Sequence, residues 1–176
     1  NTSDHPENNL IIEKTASYID STMQKIREIS NDLMPKILEQ NGLIPAVADF
    51  INKLDAKSKA KIKLINEITD ESSISKEVKT HIFRIVQELL NNAVKHANAL
   101  EINLHLSLMN KIILIKVNDN GVGFNEHLDI SKMKSDGLRN IIRRSQLMDG
   151  KLFLDTGINK GTSFTIEIPL KNEQPN

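Results

Sequence analysis

The feature that most constrains the fold is a change in hydrophobic spacing near residue 98. Between residues 74 and 97 the apolar side chains recur three or four positions apart, which predicts one amphipathic helix. They belong to Val78, Ile82, Ile85, Val86, Leu89, Leu90 and Ala93. Residues 100–108 and 112–117 then alternate or run apolar, as strands of a half-covered sheet do. The pattern predicts an α/β domain of two layers.

Weaker signals of the same kinds extend this domain over about residues 58–170. Helical spacing predicts a further helix over residues 137–148, after a polar loop at 125–136. Short apolar runs between turn residues predict three more strands. These strands are at about 62–68, 151–156 and 163–168.

A helical element of about residues 9–55 precedes the domain. From Ile12 to Leu33, small or apolar residues lie alternately four and three positions apart, which is the spacing of a coiled-coil seam. The seam predicts a long helix that pairs with a partner helix and ends near Pro35; packing on its own domain is the alternative. A short amphipathic helix between Leu43 and Leu54 follows.

Composition excludes several classes of protein. Among 176 residues, 23 Lys and Arg balance 23 Asp and Glu, which argues against a generic nucleic-acid or anionic-membrane binder. The absence of Cys excludes disulfides and Cys-based zinc sites. No apolar run approaches the roughly 20 residues that span a bilayer. Because the first residue is Asn, we expect a fragment of a longer chain whose membrane segment could lie upstream.

Four polar residues share one face of the 74–97 helix. Glu88 and Asn92 are four positions apart, and Lys95 and His96 follow Asn92 by three and four. A carboxylate, an amide oxygen and a cation in a row suit a magnesium–polyphosphate group, because magnesium takes oxygen ligands and an ammonium meets phosphate charge. The alternative is the solvated face of an amphipathic helix.

A glycine turn, Asn118-Asp-Asn-Gly-Val-Gly-Phe124, directly follows the second strand. Gly121 and Gly123 permit positive φ and close backbone approach to a ligand. A buried Asp119 carboxylate could accept a hydrogen bond from the exocyclic amine of adenine, whereas guanine presents an acceptor there. Taken alone, the turn also fits a hairpin or part of a calcium loop; the Walker and Rossmann motifs are absent.

Two further motifs lie towards the end of the chain. Gly137 lies at a helix start, where free backbone N–H groups can meet an anion, although it could be only a loop end. Thr162 puts a hydroxyl at a strand entrance, although it could be only a β-former. The loop at 125–136 is long for a plain connection, which suggests a function.

In order and spacing, these four motifs resemble the ATP-binding domain of sensor histidine kinases. That domain belongs to the gyrase, Hsp90, histidine kinase and MutL (GHKL) superfamily, and the match covers about residues 60–170. Residues 26–47 are similar to the second dimerisation helix, and the segment that leaves it, in the nitrate-sensor and DesK-like group. The resemblance implies a Bergerat-type two-layer α/β sandwich with a mixed sheet (58–170), preceded by the second helix of a dimerisation hairpin and a connecting helix (9–55).

The resemblance also implies roles for the helix residues. Asn92 would ligate magnesium, and Lys95 would contact phosphate. Glu88 stands where ATPase relatives keep a water-activating carboxylate; here it would hold magnesium's waters or polarise the attacking group. His96 would lie near the ribose or phosphates of ATP.

For the sheet side, the resemblance implies the adenine site and a lid. Asp119 would bind the adenine amine, and Thr162 would join the water network beside it. Residues 125–136 would form an ATP lid hinged at Gly123 and Gly137. The implied nucleotide-binding set is His96, Asp119, Gly121, Gly123, Gly137, Leu138 and Thr162.

The function implied by the resemblance is the cytoplasmic catalytic part of a two-component sensor kinase that uses ATP and Mg²⁺. The full-length protein would form a homodimer through its dimerisation helices, serve a response regulator and possess an inner-membrane anchor. Alternatives are a GHKL ATPase or anti-sigma-like Ser kinase, and a non-catalytic dimerisation or partner-binding module.

We expect this chain to bind Mg²⁺–ATP without phosphorylating itself. In the kinase group it resembles, an acidic residue usually follows the phosphoacceptor His. None of the five His residues here has one. The following residues are Pro6, Ile82, Ala97, Leu106 and Leu128. Incubation with labelled ATP checks this expectation, and a stable phosphohistidine on this chain would refute it.

Overall fold

The computed structural model describes residues 36–124 and 136–170, together with Thr15 and Ile19, which are helical. The rest of the predicted seam helix, up to Pro35, lies outside the described residues. So do residues 125–135 of the predicted lid, and both elements remain predictions. By its contacts the chain divides into residues 1–34 and 35–176. The elements below lie in the second of these units.

Four helices and five strands make up the described part of that unit. The helices are α1 (Lys36–Asn41), α2 (Leu43–Asp55), α3 (Lys76–His96) and α4 (Asp136–Leu147). The strands are β1 (Lys61–Asn66), β2 (Glu101–Met109), β3 (Ile112–Asp119), β4 (Lys151–Thr156) and β5 (Thr162–Pro169). The predicted helices and strands of the α/β domain are confirmed close to their predicted bounds. The sequence predicts no separate helix at α1.

The strands form one mixed sheet in the order β1-β2-β3-β5-β4. β1 pairs with β2 in parallel, and the other pairs are antiparallel. Alternation decides which face is buried: Ile102, Leu104 and Leu106 of β2 are fully buried, while the residues between them are half exposed. The register places Asp119 at the end of β3 opposite Thr162 at the start of β5.

Helices cover one face of this sheet, as the predicted two-layer architecture requires. The apolar stripe of α3 is buried, with Ile82, Ile85 and Leu90 at 0% exposure. Phe50 of α2 meets Phe83 of α3 edge to face, with 6.2 Å between ring centroids. In the described ranges, no helix combines the length and apolar character that crossing a bilayer requires.

The ends of α3 agree with its sequence. The Ser75 hydroxyl caps the helix by accepting from the Val78 backbone N–H at 3.3 Å. Glu77 lies in the first turn, and Lys95 and His96 lie in the last, which matches the helix dipole. The helix ends beside β3, so its last turns face the end of the sheet that carries Asp119.

Glu71, in the loop before α3, ties α2 to the rest of the unit. Its Oε2 accepts from the backbone N–H of Leu43 at 2.8 Å, and its Oε1 accepts from that of Ile44 at 2.9 Å. The same carboxylate lies 3.3 Å from Lys79 Nζ on α3. α1 and α2, which the sequence analysis assigns to the helical element, thus pack within the unit that holds the sheet. That they act with the dimerisation helices remains a prediction.

We expect Glu71→Ala to lower the free energy of unfolding by about 1–3 kcal/mol, because two part-buried N–H groups lose their acceptor. Glu39→Ala is the matched control. The Glu39 side chain is 58% exposed and lies 3.9 Å from Lys76, so its loss should cost less than about 0.5 kcal/mol. Urea denaturation measures both variants; equal effects would contradict the capping role.

Candidate functional site

A cavity of about 310 Å³ lies between the last turns of α3, the end of β3, the start of α4 and β5. Six of the predicted site residues line it. They are Asn92, His96, Asp119, Gly123, Leu138 and Thr162. Leu89, Val117 and Phe164 contribute much of an otherwise apolar wall. A concave apolar site with a few convergent polar groups is the usual setting for a small ligand.

Asp119 is half-buried at the end of β3. Its Oδ1 accepts from the backbone N–H of Gly121 at 2.9 Å, and the Thr162 backbone N–H also donates to the carboxylate. Burial raises the pKa of Asp119 above its ordinary value, and the two N–H groups oppose that change by stabilising the charged form. The protein therefore keeps a carboxyl group in a partly desolvated wall of the cavity.

The glycines of the turn allow it to lie against neighbouring backbone. A Cβ on Gly121 would collide with the Ala97 carbonyl at the end of α3. Gly123 has φ of 56°, and a Cβ there would meet the carbonyl oxygens of Gly157 and Gly161. In the structure, these two glycines allow the turn to approach the protein's own backbone closely. Gly123 also lines the cavity.

Gly137 brings the start of α4 onto the polar face of α3. A Cβ on Gly137 would collide with Glu88 Oε1 and come within 3.4 Å of Asn92 Nδ2. The first turn of α4 therefore lies directly over the Glu88–Asn92 pair. Leu138, the next residue, is 4% exposed and contributes to the cavity wall. The predicted Gly137 motif and the predicted α3 motif thus meet in space.

The donors beside Gly137 fit a magnesium ion. Glu88 supplies a half-buried carboxylate, and Asn92 supplies a neutral amide oxygen once its amide is turned accordingly. Within residues 36–124 and 136–170, no three His, Asp or Glu side chains are placed to hold a metal ion. Magnesium commonly keeps several waters and phosphate oxygens, so one or two protein oxygens suit it.

The last turn of α3 places its two basic residues differently. Both Lys95 and His96 are exposed, but only His96 lines the cavity. The phosphate contact expected of Lys95 therefore remains a prediction. His96 is thus the one of the two that could contact a ligand in the cavity.

Thr156, at the end of β4, is a residue of this region that the sequence does not reveal. This residue is buried, and its hydroxyl contacts Phe124, Gly161 and the predicted site residue Thr162. In the sequence, Thr156 is indistinguishable from any β-forming Thr before a glycine turn. The sequence likewise identifies Leu89, Val117 and Phe164 as helix or strand positions but does not indicate that they line a cavity.

Comparison with known proteins gives one family and several named relatives. The sequence profile of the "Histidine kinase-, DNA gyrase B-, and HSP90-like ATPase" family matches residues 77–172. Sensor histidine kinase ComP of Bacillus subtilis is 34% identical over 145 residues, which are 82% of this chain and 19% of ComP. Sensor protein VraS of Staphylococcus aureus is 27% identical over 163 residues, which are 93% of this chain and 45% of VraS. The chain thus spans less than half of either relative.

Solved structures show the same fold. The histidine kinase domain of a blue-light activated histidine kinase from Erythrobacter litoralis EL346 superposes with a TM-score of 0.60 at 27% identity. The match covers 72% of this chain and 62% of that domain. Histidine kinase AdeS of Acinetobacter baumannii gives a TM-score of 0.63 over 93% of this chain and 85% of its own. At 16% identity, AdeS supports the fold alone.

Asp119→Asn should change the pH dependence of stability in a defined direction. The raised pKa means that the folded state binds the proton more tightly than the unfolded chain does. The associated stabilisation is complete below the unfolded value of 3.8 and is lost as pH rises through the folded value. Asn cannot titrate, so the variant does not lose this stabilisation. As pH rises through the folded pKa of Asp119, the free energy of unfolding of the variant should therefore increase relative to that of the parent.

Urea denaturation at several values between about pH 3 and pH 7 measures this difference. Asp155→Asn, on an exposed position of β4, controls for the substitution itself. If Asp119→Asn instead loses stability relative to the parent as pH rises, burial does not disfavour the charged form of Asp119.

Proposed function

Because this chain belongs to the family of histidine kinase-, DNA gyrase B- and HSP90-like ATPases, we propose that it is the ATP-binding catalytic part of a two-component sensor histidine kinase. One observation carries the proposal: Asn92 of α3 and Asp119 at the end of β3 face a single cavity from opposite layers. The names of ComP and VraS, both sensor proteins, support the same function.

At the sheet side of the cavity, Asp119 would recognise the base of ATP. An ionised carboxylate accepts hydrogen bonds only, so it complements the exocyclic amine of adenine and opposes the oxygen that guanine has at that position. Leu89, Val117 and Phe164 offer the apolar surface that a planar base needs. Gly121 would contribute by donating its backbone N–H to the Asp119 carboxylate, which orients that group.

At the helix side, Asn92 would ligate Mg²⁺ beside the phosphates, and Glu88 would hold the waters of the ion or polarise the attacking group. The bound ion would offset the negative charge of the triphosphate. Gly137 leaves room for the start of α4 to approach these two side chains, so phosphate oxygens could also meet backbone N–H groups there. In the last turn of α3, His96 lines the cavity and would contribute a hydrogen bond, whereas Lys95, which does not line it, would contribute positive charge from beside it.

The reaction we propose moves the γ-phosphoryl group of ATP to a His on a dimerisation helix of the full-length protein. The bond from the γ-phosphorus to the ADP oxygen breaks as a bond to an imidazole nitrogen forms. Positioning and charge neutralisation supply the catalysis, because the phosphoryl group needs little covalent assistance from protein. Homodimerisation, relay to an Asp of a response regulator and a cytoplasmic location belong to the same proposal.

Calorimetry with ATP, in the presence and absence of Mg²⁺, tests the two halves of the site separately. Asp119→Asn should weaken binding roughly 10- to 100-fold under both conditions, because it removes a charged hydrogen-bond acceptor. Asn92→Ala should remove most of the affinity gained from Mg²⁺ and change metal-free binding little. Asn91→Ala is the matched control, since Asn91 neighbours Asn92 on α3 without lining the cavity.

The outcomes separate the proposal from its rivals. Equal ATP affinity in the parent and Asp119→Asn would refute the adenine assignment, and unchanged Mg²⁺ dependence in Asn92→Ala would refute the metal assignment. Absence of adenine-nucleotide binding by the parent would favour a partner-binding module. Steady ATP hydrolysis by the chain alone would favour an ATPase.

A further inference from the structure

The hydroxyl of Thr156 lies within hydrogen-bonding distance of three groups, two of which belong to the cavity-lining residues Phe124 and Thr162. It accepts from the backbone N–H of Phe124 at 3.2 Å and donates to the Gly161 carbonyl oxygen at 3.1 Å. Its third neighbour is Oγ1 of Thr162, at 3.2 Å. Thr156 is 5% exposed, so these protein groups rather than bulk water satisfy its hydroxyl.

A single assignment of hydrogens makes all three contacts hydrogen bonds. A hydroxyl has one hydrogen and two lone pairs, a carbonyl oxygen only accepts, and an amide N–H only donates. The hydrogen of Thr156 is therefore directed at Gly161, and its lone pairs face Phe124 N–H and Thr162. Under this assignment, the Thr162 hydroxyl donates to Thr156.

The assignment decides what Thr162 can offer to a ligand. Thr162 lines the cavity together with Asp119, and its hydroxyl hydrogen is engaged by Thr156. Only lone pairs of Thr162 Oγ1 remain for a bound group, and an ionised Asp119 also only accepts. Two neighbouring acceptors favour an amine, which has two N–H donors, and oppose a carbonyl oxygen.

We propose that Thr156 is a positioning residue that sets purine selectivity by holding the Thr162 hydroxyl as an acceptor. The inference rests on the proposed function, because that function places an adenine base in this cavity. Without the Thr156 acceptor, Thr162 can rotate its hydrogen towards the cavity and donate to the 6-oxo group of another purine. Discrimination against such purines should then decrease.

Competition between ATP and inosine triphosphate tests this role. Inosine triphosphate carries an oxygen in place of the 6-amine, so the ratio of its Kd to that of ATP measures discrimination at this position. Thr156→Val keeps the shape of the side chain and removes the hydroxyl, and it should lower the ratio about five- to tenfold. Thr156→Ser restores the hydroxyl and should keep the ratio within about twofold of the parent. An unchanged or higher ratio in Thr156→Val overturns the proposal.

A double-mutant cycle distinguishes this role from general support of the fold. If Thr156 acts through the Thr162 hydroxyl, adding Thr156→Val to Thr162→Val should leave the ratio unchanged, because the group that it orients is already absent. A further five- to tenfold decrease would overturn the proposal. Should Thr156→Val not fold, Thr156→Ala also removes the hydroxyl and should lower the ratio in the same direction; an unchanged ratio there overturns the proposal equally.

The parent protein provides the remaining comparison. A parent that binds ATP no more tightly than inosine triphosphate refutes adenine recognition, and with it the premise of this inference. A parent that discriminates while Thr156→Val discriminates equally refutes only the role of Thr156. The two failures are therefore distinguishable in one set of titrations.

Discussion

The site depends on the docking of the glycine turn onto the end of α3. The backbone N–H of Val122 donates to the Ala97 carbonyl oxygen at 2.8 Å, and Gly121 lies against the same carbonyl. Asn120 extends the junction, because its Oδ1 accepts from the backbone N–H groups of Leu100 and Glu101. These bonds hold the last turn of α3 against the end of β3, and they make one cavity from two layers.

Within that frame, the carboxyl group of Asp119 is held in the cavity wall at some expense to the stability of the fold. Asp119 remains partly desolvated although burial disfavours its charge, and nearby backbone N–H groups only partly offset this effect. A hydroxyl chain from Gly161 through Thr156 to Thr162 lies beside it. A partly desolvated carboxyl group that is fixed in geometry is typical of a functional site.

Much of the fold could be predicted from sequence because its elements are regular. The apolar stripe of α3 and the alternation in β2 each have one period, and burial in the structure follows it. The turn at Gly42 separates α1 from α2, and its φ of 90° accommodates the Glu71 carboxylate from a distant loop. That contact is long-range, so local patterns did not indicate it.

The sequence by itself determined the two-layer α/β class, the family resemblance and the residues at which polar chemistry interrupts regular elements. Spacing within one helix suffices to put Glu88 and Asn92 on a common face, because helical geometry is local. Tertiary structure alone decided that Gly137 lies over that face, that His96 lines the cavity while Lys95 does not, and that the hydroxyl of Thr156 meets that of Thr162. Each of these facts depends on how strands and helices distant in sequence pack together, and hydrophobic periodicity carries no information about such pairings.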